Sequence, residues 1–238
     1  MAIKKEHPNI KILETAISQL GPLVDEMVFL GGCATCLLLT DPATPPPRVT
    51  YDVDVIIEAA SLLDYHKLSE RLRRHNFSED MSADALICRW RCGETILDVM
   101  PTHSDILGFG NQWYAAAYSA AISVSLPSGK LIQVLPAPYF LATKFDAFKG
   151  RGNQDYLLSK DMEDIITILD GRLEIIDEIQ QAADDLRSYL ADAFSKLLNN
   201  RHFTDALPGH LPPDKANQSR LPIILNRIDS ISKLQGHG

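Results

Sequence analysis

Between Arg48 and Ile57 the chain reads Arg-Val-Thr-Tyr-Asp-Val-Asp-Val-Ile-Ile, and this run constrains the fold more than any other. Its β-branched residues predict a strand over 52–57, in which successive side chains point to opposite faces. Asp52 and Asp54, two residues apart, therefore share one face while the valines and isoleucines between them take the other. Two like charges side by side on an apolar strand repel each other. The usual relief is a positive group between them, most simply a divalent cation. The chain must then build a sheet that buries one face of this strand and opens the other to something charged.

The segment upstream agrees with that demand. Phe29-Leu30-Gly31-Gly32-Cys33-Ala34-Thr35 reads as a short strand over 27–30, a glycine pair, and a buried helix start over 33–39. Glycines before a helix let a backbone open toward a phosphate at the helix N-terminus. Residues 41–48, Asp-Pro-Ala-Thr-Pro-Pro-Pro-Arg, fit neither helix nor sheet and form a loop that delivers Arg48 and Thr50 to the aspartate strand. A phosphate cradle joined to a carboxylate pair is the chemistry of nucleotides.

Composition narrows the partners. With 238 residues the chain holds one large or two modest domains, and its 45% hydrophobic content is ordinary for a globular protein. A net charge of -8 excludes a surface that is basic throughout. The basic run Lys67 to His75, with Arg71, Arg73 and Arg74, is a candidate nucleic-acid patch or, as an alternative, a solvated helix face. Four cysteines in a chain this long make no disulfide framework, the N-terminus has no apolar leader pattern, and no stretch has the length of a membrane span. A cytoplasmic protein without membrane partners is expected.

The pattern divides the chain into an α/β part over 1–135 and a helical part over 136–238. Helical spacing marks 9–21, ending at Gly21-Pro22, and 61–75. Residues 85–90 with 95–99, and 122–126 with 130–135, read as hairpins, giving a mixed sheet. From Pro136 the period is helical: one helix from Pro138 to Gly150, and another capped by Ser159 with Lys160, Asp161 and Asp164 in its first turns. After Gly171 an apolar stripe runs through Ile176, Ile179, Ala183, Leu186, Leu190, Ala193 and Leu197. It is a core face or, as an alternative, a homodimer seam. Residues 205–218 read as a loop and 219–235 as the last helix.

A third carboxylate lies mid-strand in Ile96-Leu97-Asp98-Val99, where an unpaired charge is costly. Beside the first strand, Asp98 could join Asp52 and Asp54 around two Mg²⁺ ions about 4 Å apart, the arrangement that clamps an in-line displacement at phosphorus. The alternative is an ion pair with Arg89 or Arg91.

On these residues the chain resembles the DNA polymerase β-like nucleotidyltransferase superfamily. Gly31-Gly32 followed by Arg48-x-Thr50-x-Asp52-x-Asp54 carries the resemblance, together with Lys144-Phe-Asp-Ala147, Arg151 and Lys160-Asp161-Met-Glu-Asp164. Within the superfamily it is most similar to small prokaryotic AbiEii/MenT-type enzymes, over about residues 27–172, about 60% of the chain. The resemblance implies a mixed-sheet nucleotidyltransferase domain followed by a helical domain that closes the nucleotide cleft. It implies transfer of an NMP from an NTP to a hydroxyl on an RNA or tRNA end, a protein or a small molecule. A toxin role with a cognate antitoxin is implied as well. Gly31 and Gly32 would cradle triphosphate, with Arg48, Thr50, Thr35 and Arg151 around the nucleotide. Asp52, Asp54 and Asp98 would hold Mg²⁺, Lys144 would touch triphosphate, and Asp161 would position Lys144 or the acceptor. Where many relatives carry a hydroxyl directly after the glycines, this chain has Cys33-Ala34, so Thr35 stands one step removed. The contrasting function is a regulator that binds nucleotide without turnover.

Other constellations are set aside. Cys33-x-x-Cys36 with Cys88 and Cys92 has zinc-like spacing but sits in apolar surroundings. His75 and His103 read as surface residues, and Trp113-Tyr114 as core packing in preference to a base-stacking lid.

Overall fold

A computed structural model describes residues 7–234. They form two compact units: the residues up to Leu37 together with Arg48–Pro136, and Leu38–Pro47 together with the chain from Ala137 onward. The leader reading of residues 1–6, and the last residue of the expected helix 219–235, lie outside the described residues.

The first unit is a mixed seven-stranded sheet with helices. In chain order it contains α1 (Pro8–Leu20), β1 (Met27–Leu30), the start of α2 (Gly31–Leu38), β2 (Asp52–Ile57) and α3 (Leu62–Arg74), then β3 (Ser78–Glu79), β4 (Arg89–Cys92), β5 (Thr95–Pro101), α4 (Tyr114–Ser119), β6 (Ile122–Ser125) and β7 (Leu131–Val134). The strands lie in the order β3-β4-β5-β2-β1-β7-β6. β2 runs parallel to β5 and β1 parallel to β7; the other pairs are antiparallel. β2 alternates as its sequence requires: Val53 and Val55 are fully buried, whereas Asp52 and Asp54 on the opposite face are partly exposed. α1 packs Ile10, Leu13, Ile17 and Leu20 inward. Ser61 caps α3 by accepting from the Asp64 amide at 3.2 Å.

β4 starts four residues later than the expected 85–90. Residues 82–89 are held in turns, with the Ala85 amide on the Ser82 carbonyl at 3.0 Å and the Arg89 amide on the Leu86 carbonyl at 2.9 Å. Those local bonds take the backbone donors that a longer strand would have needed, and Leu86 and Ile87 stay exposed. The basic run on α3 is met by acids of its own unit: Lys67 pairs with Asp64, Arg71 with Glu26 and Arg73 with Glu79. It is a solvated helix face.

The second unit is helical: α5 (Ala137–Arg151), α6 (Lys160–Gly171), α7 (Ile175–Gln180), α8 (Asp184–Leu198), α9 (Arg201–Ala206), α10 (Lys215–Gln218) and α11 (Leu221–Ser232). Ser159 caps α6 as expected. The long stripe is two helices. The chain breaks at 181–183, where Ala183 is extended and exposed and Asp184 and Asp185 open α8. Ile175 takes the buried position expected of Ile176, and Ile179, Leu186, Leu190, Ala193 and Leu197 face the unit's own core. Residues 205–218 also differ from the loop reading. Pro208 lies in a 3-10 turn and Asp214 caps α10, so residues read as loop formers start short helical turns.

Leu38–Pro47 is bound into this unit by buried polar contacts. The Thr40 and Asp41 amides donate to the Gly171 carbonyl at 2.8 and 2.9 Å. Arg220, 9% exposed, donates to Asp41 at 2.6 Å and to Asp170 at 2.7 Å. Arg172 donates to the Leu38 carbonyl at 3.0 Å. Among the described residues no helix is long and apolar enough to cross a membrane.

Candidate active site

β1 ends at Leu30, the register partner of Asp54, and the chain then turns into α2 at Gly31. Gly31 has φ 72°, and a methyl group there would fall 1.8 Å from Asp54 Oδ2 and 2.9 Å from its Cβ. Only glycine admits both the left-handed backbone and the carboxylate pressed against it. Gly32 is the second close approach: a methyl there would fall 2.6 Å from an Arg48 guanidinium nitrogen. The glycine turn is thus flanked by an anionic and a cationic side chain at the start of a helix, where the first N–H groups lack intrahelical partners.

Asn9 holds this turn in place. Fully buried on α1, it donates through Nδ2 to the Gly32 carbonyl at 3.2 Å and the Arg48 carbonyl at 3.0 Å. Its Oδ1 accepts from the Thr50 amide at 3.1 Å, and its backbone carbonyl accepts from Cys33 Sγ at 3.3 Å. One amide side chain therefore ties the glycine turn to the segment that leads into the aspartate strand. Sequence reasoning missed Asn9. The available signal was an asparagine on the same helix face as Leu13 and Leu20, a polar residue where the period calls for an apolar one.

Thr50 is buried, and its hydroxyl donates to Asp52 Oδ1 at 2.6 Å, fixing that carboxylate. Thr35 is also fully buried, and its hydroxyl donates back to the Gly31 carbonyl at 3.2 Å. The structure thus gives both threonines a place in holding the turn and the strand. Neither hydroxyl is presented outward.

Asp98 stands where the sequence expected it. It is the register partner of Asp54 in the parallel β2–β5 pair, so Asp52, Asp54 and Asp98 share one face of the sheet. On its other side its register partner is Arg89 of β4. Arg89 forks the buried Asp98 carboxylate, Nε to Oδ1 at 2.8 Å and Nη2 to Oδ2 at 2.7 Å, and the same Nη2 lies 3.4 Å from Asp52 Oδ2. The hydrogen bonds to Asp98 raise the Arg89 pKa further above its already high value, against the opposing effect of burial. Both weighed readings of Asp98 are therefore present at once: it sits beside the pair, and its two oxygens are taken by an arginine.

This decides the fit of a metal. Hard carboxylate oxygens on Asp52 and Asp54, adjacent and partly open to solvent, suit Mg²⁺. A set of three does not form: among the described residues no three His, Cys, Asp or Glu side chains are grouped to hold an ion. The cysteines are free thiols, and burial raises Cys36 and Cys88 to about 12, which suits packing and not ligation.

The helical unit has its own charged cluster. Lys144, 8% exposed on α5, lies 2.6 Å from Asp164 Oδ2 and 3.3 Å from Asp161 Oδ1 on α6. Arg151 forks Asp161 with both contacts at 2.9 Å. Burial pushes the Asp161 carboxyl up, but Arg151 and Lys144 together hold it below its ordinary value. The structure thus brings Lys144, Arg151, Asp161 and Asp164 together, as their spacing suggested. Trp113 is buried and the Tyr114 hydroxyl meets Met100 Sδ at 3.2 Å, so this pair packs within the sheet unit.

No protein-family model matches the sequence, and neither does any curated protein. Among solved structures, JHP933 from Helicobacter pylori is similar at 12% identity and a TM-score of 0.49, over 98% of this chain and 94% of its own. A candidate nucleotidyltransferase from H. pylori is similar at 10% identity and a TM-score of 0.47, over 94% of this chain and 93% of its own.

Proposed function

We propose that the protein is a nucleotidyltransferase that moves a nucleoside monophosphate from an NTP to a hydroxyl acceptor. The acceptor oxygen would bond to the α-phosphorus. The bond from that phosphorus to the bridging oxygen would break, and pyrophosphate would leave with the electron pair, while the hydroxyl proton passes to solvent. The observation that carries this reading is the pressing of Asp54 against the Gly31 turn, with Asp52 beside it on the same strand face. A turn with no side chain of its own lets phosphate oxygens approach backbone N–H groups next to those carboxylates. Mg²⁺ bound at Asp52 and Asp54 would neutralise phosphate charge and favour ionisation of the attacking hydroxyl.

The protein's own groups supply the rest. Arg48, over Gly32, offers a guanidinium to phosphate oxygens. Thr50 and Asn9 keep the Asp52 carboxylate and the turn in register. An RNA or tRNA end, a protein or a small molecule is the acceptor class carried over from the resemblance, as are a toxin role and an antitoxin partner. The Arg89 fork on Asp98 favours one alternative, a nucleotide-binding regulator without turnover.

Incubation with labelled NTPs, Mg²⁺ and total RNA or cell lysate separates the two. Label transfer that is lost in Asp54→Ala supports the enzyme. NTP binding with no transfer to any fraction supports the regulator.

A further inference from the structure

From its place on β4, the Arg89 side chain reaches across a second strand toward a third. Its register partner on β5 is Asp98, and beyond β5 lies β2, which carries Asp52. Nε and Nη2 fork the Asp98 carboxylate at 2.8 and 2.7 Å, and the same Nη2 stands 3.4 Å from Asp52 Oδ2. A bidentate fork fixes the plane of a guanidinium as a single contact does not, so Asp98 sets where Nη2 points. The contact to Asp52 is long for a hydrogen bond, but attraction between charges falls only as the inverse of distance, by about a fifth from 2.7 to 3.4 Å. Water screens it little, since the Arg89 side chain is 21% exposed and that of Asp98 4%. From the other side the Thr50 hydroxyl donates to Asp52 Oδ1 at 2.6 Å. Each oxygen of Asp52 therefore faces its own donor, and a carboxylate with 36% of its side chain exposed is kept from turning. The backbone of Arg89 is fixed by its neighbours: Trp90 is buried, and the Cys88 carbonyl accepts from the Val99 amide at 2.9 Å.

We propose that Asp98 and Arg89 are positioning residues: Asp98 aims Arg89, and Arg89 together with Thr50 holds the plane of the Asp52 carboxylate. Asp98 then touches neither nucleotide nor acceptor and acts only through the arginine. This role rests on the reading of the site as a nucleotidyl-transfer centre. A pair that served stability alone would need only a positive charge beside buried Asp98, and a lysine would supply it. Aiming Asp52 needs the planar fork as well, and the single nitrogen of a lysine does not provide one. The two roles therefore part company at one conservative substitution.

The test measures kcat and the nucleotide KM of label transfer for the full chain, with tryptophan fluorescence in urea showing that each variant is folded under assay conditions. Arg89→Lys should keep a urea midpoint near that of the unaltered protein and lower kcat about 30-fold, with KM within about threefold. Asp98→Asn should lower kcat by a similar factor. The double variant Arg89→Gln/Asp98→Asn removes both charges together, so it strands neither, and it should be no slower than Asp98→Asn by more than about threefold. A folded Arg89→Lys with kcat within about threefold of the unaltered protein overturns the inference, because a charge alone then suffices. A double variant slowed by about a further tenfold or more also overturns it, because Arg89 and Asp98 then act separately. So does a tenfold rise in KM at constant kcat, which would mark Arg89 as a nucleotide contact, flagged by about that factor. Each of these leaves the nucleotidyl-transfer reading standing, whereas no label transfer by the unaltered protein overturns both.

Discussion

Replacing Gly31 with alanine tests the central geometry, and Gly32→Ala is its internal control. At Gly31 the new methyl meets two costs. A left-handed residue other than glycine is strained by about 1–2 kcal/mol. The methyl would also lie 1.8 Å from Asp54 Oδ2 and 2.6 Å from Cγ, contacts that a side chain fixed to a central strand relieves only by displacement. Overpacking of this kind costs about 1–3 kcal/mol, so the sum is about 2–5 kcal/mol. At Gly32 the backbone needs no positive φ, and the nearest atom is the far end of Arg48 at 2.6 Å, which can swing aside. That substitution should cost less than about 1 kcal/mol. The two tryptophans of the chain, Trp90 and Trp113, both belong to the sheet unit, so their fluorescence in urea reports that unit's unfolding. With a slope of about 2 kcal/mol per molar urea, Gly31→Ala should lower the midpoint by about 1–2.5 M and Gly32→Ala by far less. Label transfer should fall about 100-fold or more in Gly31→Ala, because a carboxylate displaced by about 1 Å costs that much. If the two variants match each other in midpoint and in transfer, the close approach of Asp54 to the turn has no role and the proposed site is refuted.

Four further outcomes follow from other contacts. Asn9→Ala leaves the buried Thr50 amide and two carbonyls without their partner and should cost about 2–4 kcal/mol by the same fluorescence measurement; under about 1 kcal/mol would remove Asn9 from the account. Asp54→Asn should reduce label transfer about 100-fold or more while the urea midpoint holds, because the side chain is partly exposed; a lost midpoint would mark a structural role instead. Lys144→Met removes the cation that lies 2.6 Å from buried Asp164 and one of the two that hold Asp161, and should destabilise the helical unit by about 3–5 kcal/mol, read from far-ultraviolet circular dichroism; an unchanged curve contradicts the buried pairing. Asp161 is held below its ordinary value, so its contribution is present above about pH 4 and is lost as pH falls through the folded value. The stability gap between the native chain and Asp161→Asn should therefore close on acidification, and a constant gap would show that the carboxylate charge does not matter.

Much of this was legible before any coordinates. Period-two alternation fixed β2 to the residue, and a carboxylate in a second apolar strand suggested that Asp98 could stand beside the pair, although its register with Asp54 came only from the strand pairing. The glycine pair announced a close approach but not what approached, since that depends on the antiparallel pairing of Leu30 with Asp54. Three things were hidden for physical reasons. Asn9 acts across 41 residues of sequence, beyond any local pattern. The sequence offered both Arg89 and Arg91 to Asp98, and the choice of Arg89 depends on where β4 begins, a start set by turn hydrogen bonds at 82–89 that propensity does not register. The break between α7 and α8 escaped notice because an apolar stripe can be continued across a gap when its spacing is nearly preserved.

The passage of Leu38–Pro47 into the helical unit has a practical consequence. The chain changes unit after Leu37, after Pro47 and after Pro136, so the helical half is discontinuous in sequence. A fragment beginning at Ala137 would deprive the Arg220 guanidinium of Asp41 and Thr44, and the Gly171 carbonyl of both its amide donors. A fragment ending at Pro136 would carry those ten residues without the Gly171, Arg172 and Arg220 groups that hold them. Dissection of this protein into separately expressed halves should therefore graft the 38–47 segment onto the helical piece, or leave the polypeptide whole.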